Sequence, residues 1–303
     1  MQKNFLSIAD ISRDEILELL EVANTQKKRV TSEILKGKNI ALLFEKESLR
    51  TKASFETGIH ELGGNVSYFS AIESGRLGER ESVEDQARSM SRFFDAIVAR
   101  VSDHVALEKF ASASSSPVIN ALTNRENPCQ ILADLLTIKE RLGRLNDFKM
   151  VFLGNGNNIA LSLAIASEIM GFEFVLAGPK KYFLPYNQIN QTEDIDSALQ
   201  DADVVYTDIW GNNTDKKEEA EKFTAFLPYQ LNRENLDKAK KDAIVLHCLP
   251  AHRGNEITSD VMDSTQSAVF DQSENRLAAQ KALLIKIFLN LNTETHQNVW
   301  QIS

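Results

Sequence analysis

Ser48, Arg50 and Thr51 stand within four residues of one another, directly behind the apolar run "NIALLFE" that begins at Asn39. Two hydroxyls, a guanidinium and the free N–H groups at the start of a helix are all hydrogen-bond donors. Together they suit an anion, and phosphate above all. A plain helix start capped by Ser48 is the competing reading of the same residues. No Walker pattern occurs in the chain.

Positioning such a cluster requires a strand before it and a helix after it. The apolar run is short enough for a strand, and Ala53, Phe55, Ile59 and Leu62, ending at Gly63, carry the period of a helix with its C-cap. Upstream, Ser12 and Glu15 have capping-box spacing ahead of Ile16, Leu19, Leu20 and Ala23, which predicts an amphipathic helix. The strand-then-helix grammar repeats through "GNVSYFS", "DAIVARV" and "PVINALT", and restarts with "FKMVFLG", "FEFVLAG", "DVVYTDIW", "AIVLHCLP" and "SAVFDQ". Alternation at this spacing predicts an α/β protein with two doubly wound parallel sheets. The domains are expected at 1–140 and 141–285, with a C-terminal helix, about 286–303, packing back on the first.

Ligands of open α/β sheets lie beyond the carboxyl ends of the strands. In the first domain those places hold the Ser48 cluster, Arg100, and "NPCQ" at 127–130. In the second they hold "LGNGNNIA" from Leu153, "YTDIW" from Tyr206, "HCLPAHRG" from His247, and the segment around Arg276. The "GNGNN" glycines lack the third glycine and the acidic partner of a dinucleotide fold, so no nicotinamide or flavin cofactor is expected. His247 and Cys248 are neighbours on an expected strand, where alternation would send them to opposite faces, and no CxxC or HxxxH spacing exists. No metal is expected, and Cys129 reads as helix packing.

The net charge of -9 argues against nucleic acid as a partner, because no basic stripe stands out against the acidic whole. Only two cysteines occur, no signal-peptide order opens the chain, and no apolar run approaches the roughly 20 residues that span a bilayer. These features lead to the expectation of a cytoplasmic protein with no membrane partner.

Taken in order, "FEKESLRTKASFE", "ENPCQILAD", "HCLPAHRG" and "DQSENRLAAQKAL" resemble the motifs of the aspartate/ornithine carbamoyltransferases, closest to the ornithine branch. The resemblance implies carbamoyl transfer from carbamoyl phosphate to the side-chain amine of ornithine, giving citrulline and phosphate, by a homotrimer or a multiple of trimers. It further implies a carbamoyl phosphate-binding domain followed by an acceptor-binding one. Ser48, the Leu49 backbone, Arg50, Thr51 and Arg100 would hold phosphate, with Arg76 reaching a neighbouring subunit's phosphate. Arg100, Thr51 and Arg276, with Asn127 at the family's histidine position, would polarise the carbonyl. Gln130 and the carbonyls of Cys248 and Leu249 would accept from the carbamoyl NH2. Asn158 would take the acceptor's carboxylate and Asp208 its α-amino group.

The chain departs from the family pattern at Leu49 (threonine), Lys52 (arginine), Asn127 (histidine) and beyond Asp208, where "GNNTDKK" replaces Ser-Met-Gly and Asn212 stands in for the serine. Those departures keep two alternatives open: transfer to another amine, such as putrescine or an N-acylornithine, and a weakly active paralogue that binds carbamoyl phosphate.

Overall fold

A computed structural model describes residues 3–28, 31–211 and 216–299 of the protein. The chain divides into two compact units, residues 1–136 with 275–303, and residues 137–274.

In the first unit, β1 (Asn39–Phe44), β2 (Asn65–Ser70), β3 (Ala96–Arg100) and β4 (Val118–Leu122) form a parallel sheet in the order β2-β1-β3-β4. Ile40 through Phe44 are all buried, as expected of a central strand covered on both faces. One face packs Ala41, Leu43, Ile97 and Ala99 against Leu107 and Phe110 of the helix His104–Ala113. Strand order reverses between β1 and β3, so the segments after these two strands flank the switch point. The helix Leu49–Glu61 follows β1 and is capped by Ser48, whose Oγ accepts from the Thr51 N–H at 3.4 Å. Its Gly58 lies so close to the long helix Val269–Val299 that a Cβ there would meet Lys281 Cγ at 3.1 Å. Lys281 is fully buried, and its ammonium pairs with Glu61 at 2.7 Å.

In the second unit, β5 (Lys149–Leu153), β6 (Glu173–Ala177), β7 (Asn190–Thr192), β8 (Val204–Thr207) and β9 (Ile244–His247) form a parallel sheet in the order β7-β6-β5-β8-β9. Leu153 pairs with Thr207, and Thr207 with His247, so three strands end level. Their next residues, Gly154, Asp208 and Cys248, emerge side by side. The helix Asn158–Met170 follows β5 and buries eight side chains, among them Ile159, Leu163 and Met170.

One expected strand needs correction, and one strand was not expected. The segment "SAVFDQ" is not a strand: Ser267 makes one isolated bridge to Val245, and Val269 opens the long helix. The polar edge strand β7 has no apolar pattern to announce it. Among the described residues, no helix is long and apolar enough to cross a membrane.

Candidate functional site

In the first unit, the end of β1 lies level with that of β3, Phe44 opposite Arg100. Arg100 leaves the sheet half-buried and donates from Nε to the Lys46 carbonyl at 3.2 Å. Two turns of chain are tied together below it. Glu45 accepts from the Leu77 N–H at 2.9 Å and from the Ser102 N–H at 2.8 Å, a bracing role that nothing in its sequence neighbourhood announced.

Beyond Glu45, Ser48 donates from Oγ to Thr51 Oγ1 at 3.0 Å, and Arg276 donates from Nη2 to the same oxygen at 2.9 Å. The other terminal nitrogen of Arg276, Nη1, donates to Gln130 Oε1. Gln130 in turn donates from Nε2 to Asp134 at 2.8 Å. Thr51, Gln130 and Arg276 are 3%, 1% and 5% exposed, so a charged guanidinium is held in a nearly closed polar chain. Hydrogen bonds to a charged group carry about 1.5–3 kcal/mol each, which offsets part of the cost of burying it.

Arg50 is half-buried and has no ion-pair partner among the described residues, leaving its guanidinium uncommitted at the helix start. Leu49 is 80% exposed, and as first residue of the helix it offers its backbone N–H. Lys52 lies 4.0 Å above the Tyr68 ring and 3.8 Å from Glu56. Asn127 is buried, and its carbonyl accepts from the Gln130 N–H at 3.0 Å, starting the helix Pro128–Leu142. Arg76 is exposed just past the short helix Ala71–Ser74 that follows β2, where its N–H binds Glu79 at 2.7 Å, apart from the hydrogen-bonded set.

Cys129 donates to the Asn120 carbonyl at 3.2 Å, and burial pushes its thiol up to about 12 despite the nearby Arg276 charge. It is a packing residue with no nucleophilic use at neutral pH.

In the second unit, Asp208 is the convergence point. Its Oδ2 accepts from Asn157 Nδ2 at 2.7 Å, and its Oδ1 accepts from Cys248 Sγ at 3.1 Å and from the Ile209 N–H at 2.8 Å. Asn157 is also the cap of its helix, accepting from the N–H groups of Ile159 and Ala160 at 3.0 Å. Asn158, the residue singled out by motif, is the half-buried first residue of that helix. Gly156 permits the loop before it to press on its neighbour: a Cβ there would stand 2.7 Å from Leu184 N and 2.8 Å from the Tyr182 carbonyl. Gly156 thus serves close backbone approach to the segment Tyr182–Leu184.

The expectation that His247 and Cys248 point apart is overturned. Cys248 lies one residue past β9, where the chain turns through Leu249 at a φ of +55°, so strand alternation no longer applies. Ligand atoms of Asp208, His247 and Cys248 lie within 4.8 Å of one another. Both imidazole nitrogens are nonetheless engaged. Nδ1 accepts from the Leu249 N–H at 2.9 Å, so the ring proton sits on Nε2, 3.1 Å from Glu256 Oε1. Glu256, 1% exposed, also accepts from the His252 N–H at 2.5 Å. Glu256 and His247 therefore set the backbone course of Cys248 and Leu249, whose carbonyls are the groups of interest. Asn212 lies outside the described residues.

Two family models cover the chain: the aspartate/ornithine carbamoyltransferase carbamoyl-P binding domain matches residues 3–140, and the Asp/Orn binding domain matches residues 146–287. The protein is 46% identical over 301 residues to the ornithine carbamoyltransferase of Methanosphaera stadtmanae, covering 94% of this chain and 99% of that one. It is 47% identical over 302 residues to that of Methanococcus maripaludis strain C7, with the same coverage. Among solved structures, the ornithine carbamoyltransferase from Pyrococcus furiosus superposes with a TM-score of 0.89 at 40% identity, over 93% of this chain and 95% of that one. The Thermus thermophilus enzyme gives 0.88 at 37%, over 95% and 99%.

Proposed function

The chain belongs to the aspartate/ornithine carbamoyltransferase family, and from that premise we propose that it moves the carbamoyl group of carbamoyl phosphate to the side-chain amine of L-ornithine, giving L-citrulline and phosphate. The observation that carries this reading is the single hydrogen-bonded set made by Thr51, Gln130 and Arg276, three residues drawn from three separate motifs.

In this reading the phosphate is held by Ser48, Arg50, Thr51, Arg100 and the Leu49 N–H. Arg276, Arg100, Thr51 and Asn127 face the carbonyl oxygen. The neutral amine attacks the carbamoyl carbon, a C–N bond forms, and the C–O bond to phosphate breaks. Negative charge builds first on the carbonyl oxygen and then on phosphate, and fixed cationic donors at those two places lower that barrier. The proton shed by the amine balances the charge of the released phosphate, so no covalent intermediate and no metal is needed.

Gln130 and the carbonyls of Cys248 and Leu249 accept from the carbamoyl NH2. On the acceptor side, Asp208 takes the α-amino group, Asn158 the carboxylate, and Asn212 adds a further hydrogen bond. A carboxylate already aligned by Asn157 and Cys248 needs little reorganisation to take up an ammonium group. Asn127 keeps a donor where the family has histidine, without its capacity for charge.

The same reading includes a cytoplasmic homotrimer acting in arginine biosynthesis, in which Arg76 serves a neighbouring subunit's phosphate. Free Cys129 and Cys248 are compatible with a reducing compartment. The test is ureido-product formation with phosphate release across ornithine, putrescine, N-acetylornithine, lysine and aspartate, beside sedimentation of the protein. Turnover with ornithine at rates far above the other amines supports the proposal. Preference for another amine, or binding of carbamoyl phosphate without turnover, overturns it.

A further inference from the structure

Gln130 and Asp134 stand one turn apart on the helix Pro128–Leu142, and both are buried, at 1% and 0% exposure. A carboxylate in a helix interior with no exposure is costly in both propensity and desolvation. Its contact with Gln130 suggests what it contributes. The primary amide of glutamine has one donating and one accepting end of nearly the same shape, so packing alone does not choose between its two orientations. Here the choice is made from both sides. Arg276, which can only donate, faces Oε1, and the Asp134 carboxylate accepts from Nε2 at 2.8 Å. Rotating the amide by half a turn would set N–H against N–H at one end and oxygen against oxygen at the other.

The two constraints do not persist equally through a catalytic cycle. In the functional reading above, Arg276 turns to the carbonyl oxygen when carbamoyl phosphate binds, and its hold on Gln130 then weakens. The Asp134 contact lies on the far end of the amide and within the same helix, so it survives.

We propose that Asp134 is a positioning residue for carbamoyl recognition: it holds the Gln130 amide with its oxygen toward the substrate, so that the site accepts a hydrogen bond from the carbamoyl NH2. The proposal rests on the functional reading above, in which Gln130 takes that hydrogen bond. Asp134 touches neither substrate nor reacting atom. Its effect is selectivity for a carbamoyl group over an acyl group of equal size.

Acetyl phosphate is the natural probe, since it carries a methyl group where carbamoyl phosphate carries NH2. The two dissociation constants are compared in wild type, Asp134→Asn, Gln130→Ala and the double variant. Wild type is expected to favour carbamoyl phosphate. Gln130→Ala is expected to lower that preference about tenfold, the equivalent of one hydrogen bond. Asp134→Asn, in which the new side chain can donate as well as accept, is expected to lose several-fold of the same preference while inorganic phosphate binds as before. In the Gln130→Ala background the Asp134→Asn change should add nothing.

Each other outcome is decisive. Equal weakening of all three ligands by Asp134→Asn, or a full preference retained, overturns the positioning role. A full preference retained by Gln130→Ala instead sinks the assignment of Gln130, and with it that part of the functional reading. Should Asp134→Asn fail to fold, exchange of the Gln130 side-chain amide protons in the phosphate-bound wild-type protein decides the matter. Slow exchange supports the Asp134 hydrogen bond, and exchange at the rate of an exposed glutamine overturns it.

Discussion

Arg276 Nη2 lies 2.9 Å from Thr51 Oγ1, a hydrogen bond between residues 225 positions apart in sequence. One guanidinium thus joins the cluster behind β1 to the glutamine of the helix Pro128–Leu142, and both partners are nearly closed to solvent. Replacing Arg276 with lysine keeps the charge and removes the fork that reaches two oxygens at once. The expected result is a loss of roughly 10² to 10³ in kcat, the scale for removal of an aligned oxyanion donor. Steady-state rates with saturating carbamoyl phosphate measure it, and activity within threefold of wild type would refute the assignment.

Arg50 stands at the helix start with no ion-pair partner among the described residues, so its removal breaks no ion pair there. Arg50→Ala is expected to abolish binding of inorganic phosphate and carbamoyl phosphate while the denaturation midpoint stays near that of wild type. Calorimetric titration beside a urea melt separates the two quantities. Unchanged phosphate affinity would remove the anion reading of the Ser48–Thr51 cluster.

Asn157 has two roles that one substitution divides. Serine also caps helices well, so Asn157→Ser keeps the bonds to Ile159 and Ala160 and loses the amide donor to Asp208. Stability should hardly change, while KM for ornithine rises up to about tenfold, the equivalent of one lost hydrogen bond. KM for carbamoyl phosphate should stay constant. A rise in both constants would show that Asp208 is not confined to the acceptor.

Burial pushes the Cys129 thiol up to about 12, so at pH 8 only about one molecule in ten thousand carries a thiolate there. Iodoacetamide should therefore label half-buried Cys248 in the native protein and Cys129 only after unfolding. The raised value favours the folded state fully below the ordinary thiol pKa of 9.0, and that contribution is lost as the pH climbs from there toward 12. Peptide mapping of alkylated cysteines decides it; labelling of native Cys129 at the rate of a free thiol would contradict the buried placement.

Much of this arrangement was legible in the sequence because it follows from short-range rules. The polar cluster after "NIALLF" read as a strand-to-helix turn, and β1, Ser48 and the helix from Leu49 are where that reading put them. Other residues gave no such signal. Asn157 and Asn158 are adjacent and identical, and only the cap geometry places Asn157 against Asp208. Asp134 sits within the quoted "ENPCQILAD" but looks like an ordinary helix acid until its burial is known. Val269 and Phe270 resembled a short strand because apolar runs of that length carry no period of their own. Edge strand β7, "NQT", is polar, and only its pairing with β6 defines it.

The first unit is assembled from two stretches of chain, with residues 137–274 of the second lying between them. Arg276 is added 146 residues after Gln130. At ribosomal rates of about 5–20 residues per second, that separation is roughly 7 to 30 s of synthesis. The second unit, contiguous in sequence, is fully translated before the residue that closes the phosphate-side set exists. During its own synthesis the protein thus passes through a stage in which residues 137–274 are fully translated and the first unit still lacks Arg276; on the role proposed for that arginine, a nascent chain gains full turnover of carbamoyl phosphate only once the long helix from Val269 has begun to emerge.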